Sequence, residues 1–368
     1  MMQHYAIILG VNPFYPHSFE SWKDKTMPDI AITKKLAKYF RDTLSLLPAN
    51  YQTVVKGLLS YLPGIYSFVD QTRSASTRFC YSVWLRHLVV SWECGGLRNI
   101  PDSLLELGPG STFGVGLAAM LSGANKYYAL DAIKFADLNT NLQTLEELVQ
   151  LFRERAPIPH GDEFTTEVRP PLKTYEFPSH ILDDDHLDIC LQPERIQSIK
   201  TALEEVFSES PTGRDNEIRF LYLAPWLDFR VLPQGVANMI LSNTVLQCVD
   251  NLEQVYEAFN HWLTSDGFMT HNIDFSSYGA TKEWNGHWAC SKLEWSLMRG
   301  KRPYLINREP YSRHVNLLRE LGFKIVCDIK YTTETGIKRE ALVGEFANMT
   351  DDDLHTCGAM LQAMKRLD

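Results

Sequence analysis

The stretch SLLELGPGSTFGVGLAAMLSGANKYYALD, Ser103 to Asp131, decides the fold. A short apolar run, Leu104-Leu105-Glu106-Leu107, breaks at Gly108-Pro109-Gly110. After Ser111 and Thr112, the apolar residues Val115, Leu117, Ala118 and Leu121 recur at helical spacing, and Ser122-Gly123 closes that run as glycine closes helices. A second apolar run, Tyr127-Tyr128-Ala129-Leu130, ends in Asp131. The order is strand, glycine turn, helix, strand, acid. It is the front half of a parallel sheet with a nucleotide site at its carboxyl edge.

Two readings of the turn compete with an ordinary strand–helix connection. In a dinucleotide fingerprint, G-x-G-x-x-G, backbone N–H groups approach a pyrophosphate and the terminal acid takes ribose hydroxyls. Here Phe113 stands in the third glycine's place and Gly114 follows it. In the other reading, Glu106-Leu107-Gly108-Pro109-Gly110 resembles motif I of the class I S-adenosylmethionine (SAM) methyltransferases. The resemblance implies that the loop passes under the methionine end of SAM and that Glu106 helps place the ammonium. It also implies that Asp131, 21 residues after Gly110, takes both ribose hydroxyls.

Composition bounds the class. The 368 residues suffice for one large domain or two. An apolar content of 45% with 22% charged residues is that of a water-soluble globular chain. The formal net charge of −9, with no sustained Lys/Arg block, argues against nucleic acid as the main partner. The seven cysteines are scattered and none forms C-x-x-C, so neither a zinc site nor a redox pair is expected, and reduced thiols in a cytoplasm are. The apolar patch AIILG near Met1 is too short for a signal peptide or an integral membrane segment.

The expected organisation has three parts: a helical lid or support over 1–100, a SAM-binding domain over 101–347 with an insertion at 156–217, and a C-terminal helix over 348–368. In the first part, Asp29–Leu47 and Ser76–Glu93 read as helices, and Tyr51–Val69 as an apolar stretch broken at Pro63-Gly64. The insertion is proline-rich, with one helix near Pro193–Phe207 and the acidic run Asp183-Asp184-Asp185, which reads as a solvated loop ahead of a cation site. Strands are expected at Ile218–Leu223, Ala237–Ser242 and Phe268–Ile273, and helices at Asn139–Arg155, Asn251–Leu263 and Tyr311–Leu321. Ile325–Ile329 and Ala341–Phe346 read as a closing strand pair. The fold class is α/β: a doubly wound, mostly parallel, seven-stranded Rossmann-like sheet with a final antiparallel hairpin, plus an N-terminal helical region. It resembles the class I methyltransferase sheet.

Ligands gather at the carboxyl ends of such strands. Gly108, Pro109, Gly110, Ser111 and Glu106 lie there, with Asp131, Ala224 and Trp226 (an adenine stack or a core tryptophan), and Ser242 and Asn243. Around strand four the family commonly has an acid, then S-x-x-V-L-E-H-V. This chain has Asn238, then Ser242-Asn243-Thr244-Val245-Leu246-Gln247-Cys248-Val249. The stretches HNIDFSSYGATKEWNGHW, from His271, and Tyr81-Ser82-Val83-Trp84-Leu85-Arg86-His87-Leu88 resemble methyltransferase-domain proteins found with bacterial polysaccharide and secondary-metabolite pathways. The resemblance implies SAM as cofactor and a small-molecule or sugar hydroxyl as acceptor. A hydroxyl acceptor needs a base. His271 is the first choice, with Asp274 and His287 as the others; His271 reads equally as a core histidine and Asp274 as a loop cap. Trp284 and Trp288 read as acceptor walls or plain packing, and Arg308 as an anchor for an acceptor anion or one half of a structural ion pair. No metal is expected. The alternatives are an NAD(P)-dependent oxidoreductase and a non-catalytic partner protein with the SAM fold.

Overall fold

The computed structural model describes residues 46–61, 75–164, 168–208, 217–226, 228–302 and 305–365. The helix expected over Asp29–Leu47 lies outside them except for Leu46 and Leu47, which are not helical, and so does the Pro63-Gly64 break. The first described helix is α1 (Ala49–Leu59). Next is α2 (Thr77–Glu93), whose Ser76 cap accepts the Phe79 N–H.

The quoted stretch folds as β1 (Ser103–Leu107), α3 (Gly114–Leu121) and β2 (Lys126–Leu130). Then come α4 (Leu138–Arg153), α5 (Asp184–Cys190), α6 (Pro193–Val206) and β3 (Arg219–Leu223). β4 (Ala237–Asn243), α7 (Leu252–Trp262) and β5 (Leu263–Asp274) follow, then α8 (Lys292–Arg299), α9 (Tyr311–Glu320) and β6 (Phe323–Thr332). The last elements are α10 (Asp351–His355) and β7 (Thr356–Lys365).

The seven strands form one sheet in the order β3-β2-β1-β4-β5-β7-β6. β1 to β5 pair in parallel, and β7 runs antiparallel between β5 and β6. Side chains alternate across it, as the two-residue period of a strand requires. Leu104, Tyr127, Met239, Leu241 and Phe268 pack with α2, α3, α4 and α6 on one face. Leu105, Leu107, Ile240, Met269 and Leu361 pack with α7 and α9 on the other. Among the described residues no helix is long and apolar enough to cross a membrane.

Three expectations need correction. The partner of β6 is not Ala341–Phe346, which is two 3-10 turns, Arg339–Ala341 and Gly344–Phe346. The partner is β7, so the C-terminal helix expected over 348–368 reduces to the short α10. The reason is burial. β7 lies inside the sheet and Met360, Leu361, Gln362 and Ala363 are all enclosed. Such a run shows no alternation and reads like a buried helix. Lastly, β5 begins at Leu263 rather than at Phe268. Leu263 pairs with Ala237 and Phe268 with Met239, so the residues between, including Asp266-Gly267, bulge out of the ladder.

Within the insertion, Asp183 caps α5 by accepting the His186 N–H at 2.8 Å and Asp184 pairs with Arg155. The acidic run is therefore used by the fold itself. At the other side, α1 crosses α8 so closely that a Cβ on Gly57 would lie 2.0 Å from the Leu297 carbonyl oxygen. Thr53 of α1 also donates to the Ala280 carbonyl at 3.0 Å.

Candidate cofactor and acceptor site

The bend after β1 is built on two glycines with positive φ, Gly108 at 74° and Gly110 at 72°, a region other residues rarely adopt. The Gly108 N–H donates to the Leu130 carbonyl at 2.7 Å, and the Gly110 N–H to Asp131 Oδ2 at 3.0 Å. Asp131 Oδ1 accepts the Ala132 N–H at 2.7 Å. The main chain of Asp131 reaches the next strand: its N–H donates to Leu223 O at 3.0 Å, and its carbonyl accepts the Trp226 N–H at 3.2 Å. Loop, acid and tryptophan are thus one hydrogen-bonded unit across the ends of β1, β2 and β3. Burial raises the Asp131 pKa, and the N–H groups of Gly110, Ala132 and Ile133 pull it back. Residues 108–111 are half-exposed. A Cβ on Gly110 would meet nothing within 4 Å, whereas one on Gly108 would strike Val245 Cγ2 at 2.5 Å. The bend is open at Gly110 and closed behind by the loop after β4.

Glu106 is not at the mouth of this bend. It is buried on the α3 side, where the Tyr127 hydroxyl donates to its Oε2 at 2.5 Å and the Gly116 N–H adds a second bond. Burial lifts its pKa to about 7, against the pull of the Tyr127 hydroxyl. Gly116 makes this possible, because a Cβ there would sit 2.1 Å from Tyr127 Cζ. Glu106 holds the first turn of α3 from below, where an acceptor of helix N–H groups is favoured. Asn141 does similar work from α4. Its Oδ1 accepts the Phe113 N–H at 2.6 Å and the Thr112 hydroxyl at 3.3 Å. Sequence reasoning missed Tyr127, Gly116 and Asn141. The signal was an amide beside the apolar stripe of a helix.

At the ends of β4 and β5 several expectations fail. His271 is fully buried, stacked on Phe259 at 5.0 Å and 12°, with Nδ1 2.8 Å from the Ser242 hydroxyl. Burial drives its pKa well below 6.5. It is a core histidine rather than a surface base, and Ser242, equally enclosed, is its partner rather than a cofactor contact. His287 is also enclosed, against Trp288 and Trp295, and burial with the nearby Arg308 charge brings it to about 3. Trp288 is core, its Nε1 donating to Arg308 O at 2.9 Å. Arg308 is a structural clamp: it lies between Trp295 and Phe346, donates to Cys290 O at 2.9 Å and pairs with Glu345 at 3.1 Å. Trp284 is half-buried, tied to Thr335 O at 2.7 Å and set edge-on to Trp288. His287, Trp288 and Arg308 pack into a core formed by the segment after β5, whereas His271 lies in β5 itself, against α7.

What does reach the strand ends is polar and partly open. Asn243 accepts from Asn272 Nδ2 at 3.0 Å, and His87 of α2 lies with its Nδ1 2.8 Å from the Thr270 hydroxyl. Asp274 is half-buried, and its Oδ1 accepts the Ser276 N–H at 2.7 Å, so it does cap its loop. The Tyr278 hydroxyl accepts from Gln247 Nε2 at 2.7 Å, and burial, then the nearby Asp274 carboxylate, raises its pKa. Tyr278 keeps 56% of its surface exposed at a φ of 50°, a backbone region that costs a bulky residue energy. Asn307, from the sequence beside Arg308, pins the 245–249 loop through Leu246 O and Val249 O at 2.8 and 3.0 Å. Asn238 sits at the far end of β4, tied to Ser103 at 2.7 Å, and belongs to the sheet. Trp226 is half-buried and edge-on to Trp262 at 5.4 Å, with Ala224 just before it.

The strand order and the glycine bend are those of a doubly wound, Rossmann-like sheet with one antiparallel strand set beside its edge. The chain is similar to a SAM-dependent methyltransferase from Mesorhizobium loti (11% identity, TM-score 0.35, 75% of this chain and 97% of that one). It is similar to another from Methanosarcina mazei (11%, TM-score 0.34, 74% and 96%). It is also similar to the CurJ carbon methyltransferase (12%, TM-score 0.36, 93% and 72%). At these identities and scores the fold rests on the strand order and the site on its own geometry. No family model matches the chain, and no curated protein matches it.

Proposed function

We propose that this chain is a SAM-dependent methyltransferase acting on a small-molecule or sugar hydroxyl. The observation that carries the reading is the Gly110–Asp131 unit: a glycine with open space above it, bonded to a carboxylate one strand over. A nucleoside with an amino-acid tail needs both features side by side. In this reading Gly108, Pro109, Gly110 and Ser111 lie under the tail, Asp131 takes the ribose hydroxyls, and Ala224 and Trp226 border the base. Glu106 positions the bend through α3, and Asn243 faces the tail from β4. When bound, SAM supplies a methyl group on a sulfonium, open to in-line attack.

The acceptor then lies over Asn243, Asp274 and Tyr278, walled by the loop that α1 and α8 support. With His271 and His287 enclosed, Asp274 is the remaining base candidate of the three. It would take the hydroxyl proton while the Ser276 N–H holds the carboxylate in place. Holding acceptor and methyl in line supplies much of the barrier reduction.

A thermal-shift comparison tests the cofactor. S-adenosylhomocysteine and SAM should raise the unfolding midpoint, and NAD(P) should leave it unchanged; the reverse result would establish the oxidoreductase reading. The enclosure of both histidines favours a second reading, a SAM-binding protein without catalysis. Binding of S-adenosylhomocysteine with no turnover across a panel of sugar and small-molecule hydroxyls would favour that one.

A further inference from the structure

Cys94 and Cys327 are 233 residues apart in sequence, yet their sulfurs lie 2.6 Å from one another. Cys94 is the C-terminal cap of α2 and is half-buried. Cys327 lies on β6, the edge strand, and is 5% exposed. The approach is built by the strand. Ile325 pairs with Ala363 and Cys327 with Gln362, so β6 gains a residue between them. Strict alternation would put Ile325 and Cys327 on one face. Instead Ile325 packs with the α7 and α9 side, and Cys327 with Val90 of α2, Met360 and Cys94. A bulge re-aims side chains in this way. Here it aims a thiol at the thiol of the residue that caps α2.

We propose that Cys94 and Cys327 are a reversible disulfide site, stapling the end of α2 to the edge of the sheet under an oxidant of the small-molecule disulfide class, such as oxidised glutathione. Cys94 is the accessible partner and attacks first as thiolate. Its sulfur bonds to one glutathione sulfur, the glutathione S–S bond breaks, and one glutathione thiol leaves. Cys327 Sγ then attacks Cys94 Sγ, the mixed disulfide breaks, and the second glutathione leaves with the Cys327 proton. The two protein thiols lose two electrons, and one oxidised glutathione becomes two reduced ones. Burial, then the adjoining Cys94 sulfur, raises the Cys327 pKa, which leaves the more exposed Cys94 as the first nucleophile. The staple would fix α2, whose His87 and Ser91 bond Thr270 and Gln362 in the sheet. This inference does not rest on the methyltransferase reading.

The full chain is equilibrated with oxidised glutathione, quenched with an alkylating agent and mapped by mass spectrometry without reduction. One cross-linked pair joining the Cys94 and Cys327 peptides is expected, with two of the seven thiols protected. The unfolding midpoint should rise by roughly 5 °C and return on reduction with dithiothreitol. Cys94→Ser, at a half-exposed cap, should abolish both effects, and Cys327→Ala should leave Cys94 carrying glutathione. Seven unprotected thiols, a persistent mixed disulfide at Cys94 in the unaltered chain, a different cysteine pair, or an unchanged midpoint would each overturn the proposal.

Discussion

The Tyr127 hydroxyl meets Glu106 Oε2 at 2.5 Å beneath the first turn of α3, in a space that exists because residue 116 has no side chain. The acid of the glycine motif therefore serves the helix start, and the bend is shaped from inside the core.

Glu106 gives the first prediction. Its folded pKa of about 7 stands above the usual 4.5, so the folded state holds a proton that the unfolded state releases. Stability is then lost as pH rises from about 4.5 to 7 and is level above. In Glu106→Gln this loss should vanish, moving the difference between variant and parent in the variant's favour by up to about 3 kcal/mol between pH 4.5 and 8. Urea unfolding across that range reads it. A constant difference would mean that Glu106 titrates normally.

Gly116→Ala places a methyl into the Tyr127 ring. The ring is held between Phe113 and Phe220 at 6.3 and 4.7 Å, so it has little room to yield. Overpacking of this kind costs about 1–3 kcal/mol. The urea midpoint should fall accordingly, and S-adenosylhomocysteine affinity should fall with it, because the Glu106–Tyr127 bond supports the bend. Unchanged stability would show that the ring moves freely.

The parts of the fold set by local pattern were legible: the bend, Asp131 at the end of β2, the helices beginning at Ser76 and Asn251, and the strand order as far as β5; α5 was not, its acidic start reading as a solvated loop. β7 was not, since a strand covered on both faces and both edges carries no alternation. The loop after β5 misled for a different reason. His287, Trp288 and Arg308 are residue types that bind ligands, but whether they face a cavity or each other depends on α1, α8 and the 339–346 turns packing around them, and sequence spacing does not encode that. Glu106 was expected at the ammonium of the cofactor, but its side chain turns beneath α3, a direction that depends on Gly116, a glycine the fingerprint did not include.

The buried histidines give an acid-side prediction of opposite sign to Glu106. Burial brings His87, His287 and His314 each to about 3 and His271 well below 6.5. Unfolded, they take protons near pH 6.5. Stability is therefore present above that pH and lost as pH falls through it, by about 2 kcal/mol per histidine between pH 6.5 and 5. His287→Gln removes one such group while keeping a polar side chain of similar length. Its loss on acidification should be smaller than the parent's by about that amount. An identical pH dependence would mean that His287 is charged in the fold.

Asp131 separates architecture from recognition. Asp131→Ala leaves the Gly110 and Ala132 N–H groups without their acceptor, and Asp131→Asn keeps an oxygen for one of them but removes the charge. If the carboxylate also takes ribose hydroxyls, both variants should lose S-adenosylhomocysteine affinity. A charged acceptor bond contributes about 1.5–3 kcal/mol, so a loss of roughly 10- to 100-fold is expected for Ala. Asn should recover most of the stability but little of the affinity. Calorimetry and urea unfolding on the same samples give both quantities. Affinity within twofold of the parent in Asp131→Ala would end the ribose assignment. Asn restoring affinity and stability in parallel would make Asp131 a support for the bend and nothing more.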